Sequence, residues 1–350
     1  MEKIKGDTKL KSIDIALIGV GQWGYNYLTT LVAMDQANVR WCCDTNPDLL
    51  PTLSKNYPNI RFTTTIYNVL EDKNVTGIVI VTPPHTHYSI AKMAIESGKH
   101  ILMEKPFTLT YDEAEELIDL AISKHTILMA GHIMEYHPAI SLMKHMMVHE
   151  QLGRILYVEF QRVNLRPSPH QINVLWDLAI HDFGIMRYLF DANPVQISAL
   201  GSYFAQPNSS GVAFITVRFP DNTLSHVYVS SIHPVKRRSI TMIGEKKTVT
   251  FDDLKPVGQI KTYSMEMIQP PNHKQSLNGR TCSPQEDSTT TITINNAKPL
   301  KIQCEHFLEC MLYDKEPLTG AKDILAVTRM VETAQRSLNS RGAFLDYPSI

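Results

Sequence analysis

Residues 13–24 run Ile13-Asp14-Ile15-Ala16-Leu17-Ile18-Gly19-Val20-Gly21-Gln22-Trp23-Gly24. The first six, broken only by Asp14, form the short apolar run of a strand buried on both faces of a parallel sheet. Gly19-x-Gly21-x-x-Gly24 follows directly and opens a helix that continues to about Ala33. In that position each glycine has a task. Gly19 permits the tight turn, Gly21 lets the backbone approach a pyrophosphate with no Cβ in the way, and Gly24 lets the helix pack closely on the strand. The helix start offers unbonded N–H groups to the phosphates. Glycines that merely turned the chain would need neither the strand before nor the helix after. A dinucleotide site lined by Gly19, Gly21, Gln22, Trp23 and Gly24 is therefore expected.

Asp44 closes the next apolar run, Val39–Cys43. A carboxylate at the end of a second strand binds the adenosine ribose hydroxyls and repels a 2′-phosphate, by roughly 4 kcal/mol for one charge pair at about 4 Å and an effective dielectric of about 20. Thr45-Asn46-Pro47 follow, with no Arg to reverse that preference. The expected cofactor is NAD rather than NADP. A second role for Asp44, capping a helical segment from Pro47, is compatible with the first. Further buried strands at 77–81, 100–103 and 126–130, with helical patterns at 86–97 and 111–124 between them, predict a doubly wound Rossmann domain over residues 1–130.

Beyond about residue 150 the rhythm changes. One helix is predicted at 177–190, with strand-like runs at 155–163, 195–204, 212–219, 224–232, 238–243 and 247–251. Asp221-Asn222 and Gly244-Glu245 mark hairpins. Residues 131–350 are thus expected to form an α+β domain for substrate binding and oligomerisation, with a large open antiparallel sheet and flanking helices. Residues 260–300, including Pro270-Pro271 and Thr289–Thr293, read as a polar excursion. Helices at 302–313 and 321–339, separated by Gly320, are expected to pack back near the first domain.

A chain of 350 residues exceeds one hydrophobic core and fits two domains. Its 34 Lys and Arg against 35 Asp and Glu remove the electrostatic case for general nucleic-acid or anionic-membrane binding. Cys42, Cys43, Cys282, Cys304 and Cys310 show no zinc spacing and are too few for a disulfide scaffold, so a reduced, cytoplasmic setting is expected. No apolar run is long enough for a membrane-spanning helix. Lys3, Lys5, Lys9 and Lys11 mimic the start of a signal peptide, but Asp14 interrupts the apolar stretch that follows.

Met103-Glu104-Lys105-Pro106-Phe107 falls at the carboxyl end of a parallel strand, the edge where doubly wound sheets hold ligands. A Lys beside an oxidised nicotinamide is disfavoured as an ammonium by burial and by the ring's charge, which suits it to proton transfer. Glu104 can hold the Lys or a ribose hydroxyl. By itself a Glu-Lys pair is ordinary surface charge. Asp177-Leu178-Ala179-Ile180-His181 places a carboxylate and an imidazole four residues apart, on one helical face, able to address adjacent hydroxyls of a sugar. Such a pair alone is commonly just a helix-surface contact. His132 and His137 carry no pattern. His145 and His149 could grip a metal, although a solvated helix face is the simpler reading, and no metal is expected.

The glycine turn, Thr82-Pro83-Pro84-His85-Thr86-His87 and Glu104-Lys105-Pro106, at their separations, resemble the glucose–fructose oxidoreductase / inositol dehydrogenase (Gfo/Idh/MocA) family, and the likeness continues to the last helices. The resemblance implies that Lys105 is the catalytic lysine, that Thr82, Pro83 and His87 line the cofactor, that His181 assists proton removal and that Asp177 binds a neighbouring hydroxyl. Pro84 stands where the family commonly has Asn. The segment Asn173–Asp182, Cys304–Cys310 and Ala334–Leu338 look like the branch acting on UDP-N-acetylhexosamine-type sugars. Arg162 and Arg166 could then meet the diphosphate, or could be solubilising charge at a sheet edge. The expected protein is an NAD-dependent oxidoreductase acting on a secondary hydroxyl of a sugar or nucleotide sugar, assembled as a homodimer or homotetramer through the open sheet. Its rivals are a free polyol dehydrogenase of inositol type, a glycosidase using NAD transiently, and a non-catalytic NAD sensor.

Overall fold

A computed structural model describes residues 12–166, 172–204, 211–255, 259–264, 289–294 and 298–348. The chain divides into two units: residues 1–133 with 299–328, and residues 134–298 with 329–350.

In the first unit β1 (Ile13–Ile18), β2 (Ala37–Cys43), β3 (Arg61–Thr63), β4 (Gly77–Ile80), β5 (His100–Met103) and β6 (Leu128–Ala130) form an all-parallel sheet in the order β3-β2-β1-β4-β5-β6. Helices α1 (Gln22–Val32), α2 (Leu50–Asn56), α3 (Tyr67–Glu71), α4 (His87–Glu96) and α5 (Tyr111–Lys124) connect the strands. The apolar runs become strands because helices cover both faces: every residue of β4 and β6 is buried. Strand order reverses between β1 and β4, so the turns after these two strands flank the crevice where such sheets hold ligands. The helical segment expected from Pro47 is a short turn that runs into α2, whereas the sequence pattern did not predict β3 or α3. Strand β3 has three residues, one of them the exposed Arg61, and stands at the sheet edge, so it carries too little apolar signal to be recognised.

The second unit begins with α6 (Pro138–Val148) and β7 (Ile155–Leu165). A π-helical turn over Leu175–Ala179 then leads into α7 (Ile180–Phe190). Strands β8 (Gln196–Tyr203), β9 (Gly211–Arg218), β10 (Leu224–Ser230), β11 (Ile232–Gly244), β12 (Lys247–Asp252), β13 (Ile260–Ser264) and β14 (Thr290–Ile292) follow. The chain closes with α8 (Pro299–Tyr313), which belongs to the first unit, α9 (Ala321–Asn339), and β15 (Leu345–Asp346). The sheet order is β14-β13-β12-β11-β7-β10-β9-β8-β15. It is mixed rather than wholly antiparallel, because β7 and β10 pair in parallel at its centre. Parts of the expected polar excursion, 260–264 and 290–292, are edge strands; Pro270-Pro271 lies outside the described residues. Strand β9 alternates strictly: Ala213, Ile215 and Val217 are buried, whereas Val212, Phe214, Thr216 and Arg218 face the other side. Among the described residues no helix is long and apolar enough to cross a membrane.

Candidate dinucleotide site and catalytic turn

The glycine turn carries the backbone that the sequence demanded. Gly19 has φ +90°, and a Cβ there would stand 2.5 Å from the Val81 carbonyl oxygen. A Cβ on Gly24 would stand 2.0 Å from the Gly19 oxygen, so this glycine is a packing requirement of α1 against the turn. Gly21 differs, since a Cβ there would meet nothing within 4 Å. Its openness is therefore not demanded by the protein's own packing, which is what close approach of a ligand's pyrophosphate needs. Gly21 also begins α1 with no side-chain cap and no acidic residue in the first turn, which leaves the positive end of the helix to an anion. These residues fit a dinucleotide.

Asp44 lies across the mouth of this turn. One carboxylate oxygen accepts the Val20 N–H at 2.8 Å, and the other accepts the Asn46 N–H at 2.9 Å. The short helical turn at Pro47 is capped by Asn46, not by Asp44. Each Asp44 oxygen keeps a second lone pair for a ribose hydroxyl. The carboxylate thus fixes the end of β2 to the glycine turn.

The turn after β5 is tied to α1. Glu104, buried, accepts the Trp23 indole N–H at 2.7 Å and the Tyr27 hydroxyl at 2.8 Å on Oε1, and the Lys105 backbone N–H at 3.1 Å on Oε2. Lys105 is half-buried. Gly131, after β6, donates its N–H to the Met103 oxygen at 2.7 Å; a Cβ there would stand 2.9 Å from Glu104 Cα. The Glu104–Lys105 turn is therefore fixed on three sides at the carboxyl edge of the sheet.

His87 lies beneath the surface rather than lining a ligand. It is fully buried, its Nδ1 is 2.8 Å from the Pro106 oxygen, and its Nε2 is 2.8 Å from the Thr82 oxygen. The ring joins the turn after β4 to the turn after β5. Burial pushes its pKa down, while the two carbonyls and the charge of Glu104 act the other way. Thr82 is half-buried and accepts from or donates to the Thr86 hydroxyl at 2.7 Å; Pro83 is exposed and Pro84 buried.

In the second unit Asp177 lies within the π-helical turn and His181 in the first turn of α7. The Ile180 N–H reaches back five residues to the Leu175 oxygen. This wide turn has a local cause: the Asn173 side chain takes the Leu175 N–H at 2.9 Å, and buried Leu175, Trp176, Leu178 and Ala179 fill the core. Asp177 and His181 are half-buried among wholly buried neighbours at 173–176, 178–180 and 182. Wide turns of this kind are enriched at functional sites.

Arg162 departs from its expected role. Its guanidinium donates through Nε and Nη2 to Asp182 Oδ1 at 3.1 and 2.9 Å, and both residues are buried. It fixes β7 to α7, next to His181, so its fork is already engaged and does not serve a diphosphate. Burial pushes the Asp182 carboxyl up, against the pull of Arg162. Arg166, just beyond β7, is exposed. His145 and His149 stack at 3.8 Å between ring centroids, and His149 Nδ1 donates to the His145 oxygen. Tyr27, Gln303 and Asp182 were not expected to bear on a site. Tyr27 and Gln303 fall on helical core positions where only apolar packing is legible.

Comparison with known proteins places the fold in a family. Residues 13–132 match the family model described as an oxidoreductase family with an NAD-binding Rossmann fold, and residues 140–250 match the GFO/IDH/MocA C-terminal domain. UDP-N-acetylglucosamine 3-dehydrogenase of Acidithiobacillus ferrooxidans is 34% identical over 51% of this chain and 56% of its own length. The scyllo-inositol 2-dehydrogenase (NAD(+)) of Bacillus subtilis is 27% identical over 55% of this chain and 58% of its own. The chain thus spans little more than half the length of these curated relatives in the matched region. Among solved structures, a levoglucosan dehydrogenase in complex with NADH superposes with a TM-score of 0.81 over 97% of this chain and all of that one, at 18% identity, which bears on the fold alone. By its two matched domains, and by the turns they place at the edge of the parallel sheet, this chain belongs to the Gfo/Idh/MocA oxidoreductase family.

Proposed function

We propose that the protein oxidises a secondary hydroxyl of a sugar carried on a nucleotide, with NAD as hydride acceptor. The observation that carries the oxidoreductase reading is the Glu104–Lys105 turn, fixed at the carboxyl end of β5 beside the open glycine turn. The nucleotide-sugar class is supported by the 34% identity with the UDP-N-acetylglucosamine enzyme. NAD rather than NADP is supported by Asp44, whose charge faces the position of a 2′-phosphate.

NAD, when bound, supplies the acceptor for the hydride that leaves the alcohol carbon. Gly19, Gly21 and the start of α1 hold its diphosphate, and Asp44 holds the adenosine ribose. One of the two groups, His181 or Lys105, takes the proton of the alcohol as the carbonyl forms. Asp177 accepts a neighbouring hydroxyl and so selects the ring orientation. Arg162 positions α7 from behind, and Arg166 remains available to an anionic part of the substrate.

Lys105→Ala is expected to lower turnover by about 10² or more while NAD still binds. Near-normal turnover would remove Lys105 from the reaction. A panel of nucleotide sugars and free polyols, followed at 340 nm with product identification, tests the substrate class. A second reading, a polyol dehydrogenase, is favoured by the similarity to the inositol enzyme. Equal rates for a sugar with and without its UDP group would select it.

A further inference from the structure

We propose that Tyr27 and Gln303 are positioning residues for the catalytic turn, acting through Glu104. This rests on the reading of Lys105 as a group that addresses the substrate. The hydroxyl of Tyr27 lies 2.8 Å from Glu104 Oε1 and 3.1 Å from the Gln303 side-chain amide oxygen. Both Tyr27 and Gln303 are wholly buried. Gln303 Nε2 is 3.4 Å from the Ala130 oxygen, which also accepts the Thr319 hydroxyl at 2.7 Å. A polar chain therefore runs from the loop before α9, past the end of β6 and through α8 and α1, to the carboxylate that binds the Lys105 N–H.

The chemistry of the chain gives it a direction. A phenol has one hydrogen and here meets two acceptors. The anionic carboxylate is the stronger acceptor and the closer one. The phenol hydrogen therefore goes mainly to Glu104, with the Gln303 amide oxygen as its second, longer acceptor, while the Gln303 NH₂ faces the Ala130 oxygen. Packing alone would be met by Phe at position 27, since the ring is enclosed and contacts Trp23 edge-on with centroids 6.4 Å apart. The hydroxyl is what the carboxylate uses. Trp23, in the glycine turn, supplies the other donor to the same oxygen, so the segment that receives the dinucleotide and the segment that carries Lys105 share one carboxylate.

The test compares Tyr27→Phe, Gln303→Leu and Glu104→Gln with the unaltered protein by site-resolved hydrogen exchange, NAD titration and steady-state rates. In Tyr27→Phe the Lys105 amide is expected to exchange about five- to tenfold faster, because the carboxylate that holds it has lost a donor. NAD affinity should change little, and kcat should fall by a similar factor with KM nearly kept. Tyr27→Phe placed in the Glu104→Gln background should add little, as residues acting through one group are not additive. If no nucleotide sugar or polyol is turned over by any form yet the Lys105 amide still loses protection, the proposed activity fails and the positioning role stands. Unchanged Lys105 exchange in Tyr27→Phe, or full additivity with Glu104→Gln, overturns the inference. Should Tyr27→Phe fail to fold, Gln303→Leu carries the same comparison from the far end of the chain.

Discussion

Glycines that look alike in the sequence do different work, and their Cβ positions separate them. At Gly24 an added methyl would stand 2.0 Å from a backbone oxygen that has no way to yield without moving the turn. At Gly21, with φ −63°, it would meet no protein atom. Gly24→Ala is therefore expected to cost on the order of 1–3 kcal/mol of stability, read as a lower Tm. Gly21→Ala should melt near the unaltered protein but bind NAD at least about tenfold more weakly, because the methyl occupies the pyrophosphate's approach. Thermal melts beside a fluorescence titration check both at once. Equal NAD affinity in Gly21→Ala would remove the pyrophosphate from this turn. The same contrast governs what could be read beforehand. A motif states residue types and spacing, so the places in the fold of the glycine turn, of Asp44 at the end of β2 and of the Glu104–Lys105 turn after β5 were legible. Arg162 and His87 were misread because their partners, Asp182 and the Thr82 and Pro106 carbonyls, are supplied by the folded chain.

At the scale of elements, imidazoles act as acceptors for backbone N–H groups. His100 Nδ1 takes the Ile127 N–H at 2.9 Å and joins the start of β5 to the entry of β6. His137 Nδ1 caps α6 through the Ala139 N–H at 3.1 Å, and His306 Nε2 takes the Leu318 N–H at 3.0 Å beyond α8. Burial pushes all three pKa values down, and that of His87 as well. A folded-state pKa below the unfolded value of about 6.5 means that the unfolded chain binds the proton first. The stabilisation is complete above that pH and is lost as pH falls below it. Asp182, pushed up by burial, works in the opposite sense, but it is one group against four. Tm is therefore expected to fall between pH 7 and pH 5, above the range where ordinary carboxylates titrate, and to fall less steeply in His306→Asn. A flat profile over that window would contradict the assignment of His100, His137 and His306 as neutral acceptors. Elements with continuous apolar runs, β1, β4 and β5, were legible because burial on both faces writes itself into the sequence. The β7–β10 parallel pair was not, because neighbours along the chain say nothing about which strand enters between them. The π-helical turn was hidden too, since residues four apart share a face in either kind of helix.

For the whole molecule, the side of the nine-stranded sheet away from its buried core is the feature still to be matched. Leu200, Phe214 and Tyr228 stand opposite one another on β8, β9 and β10, and the Phe214 and Tyr228 rings stack at 4.9 Å with an interplanar angle of 11°. Leu200 is 58% exposed and Phe214 44%. An apolar row of this kind on an otherwise polar strand alternation marks an association surface, and a twofold pairing would bring the same row from a second copy against it. We expect the protein to be a homodimer or a homotetramer built on that face. Phe214→Glu tests it cleanly. The side chain points away from Ala213, Ile215 and Val217, so the fold should survive. A twofold contact, however, would bury two uncompensated carboxylates and lose two aromatic rings, each worth about 1.5–3 kcal/mol on full burial. Light scattering at micromolar concentration should therefore give a multiple of the chain mass for the unaltered protein and half that mass for Phe214→Glu, a single chain from a dimer or a dimer from a tetramer, with matching circular dichroism. A monomeric unaltered protein under those conditions would show that this face is not where copies of the chain meet.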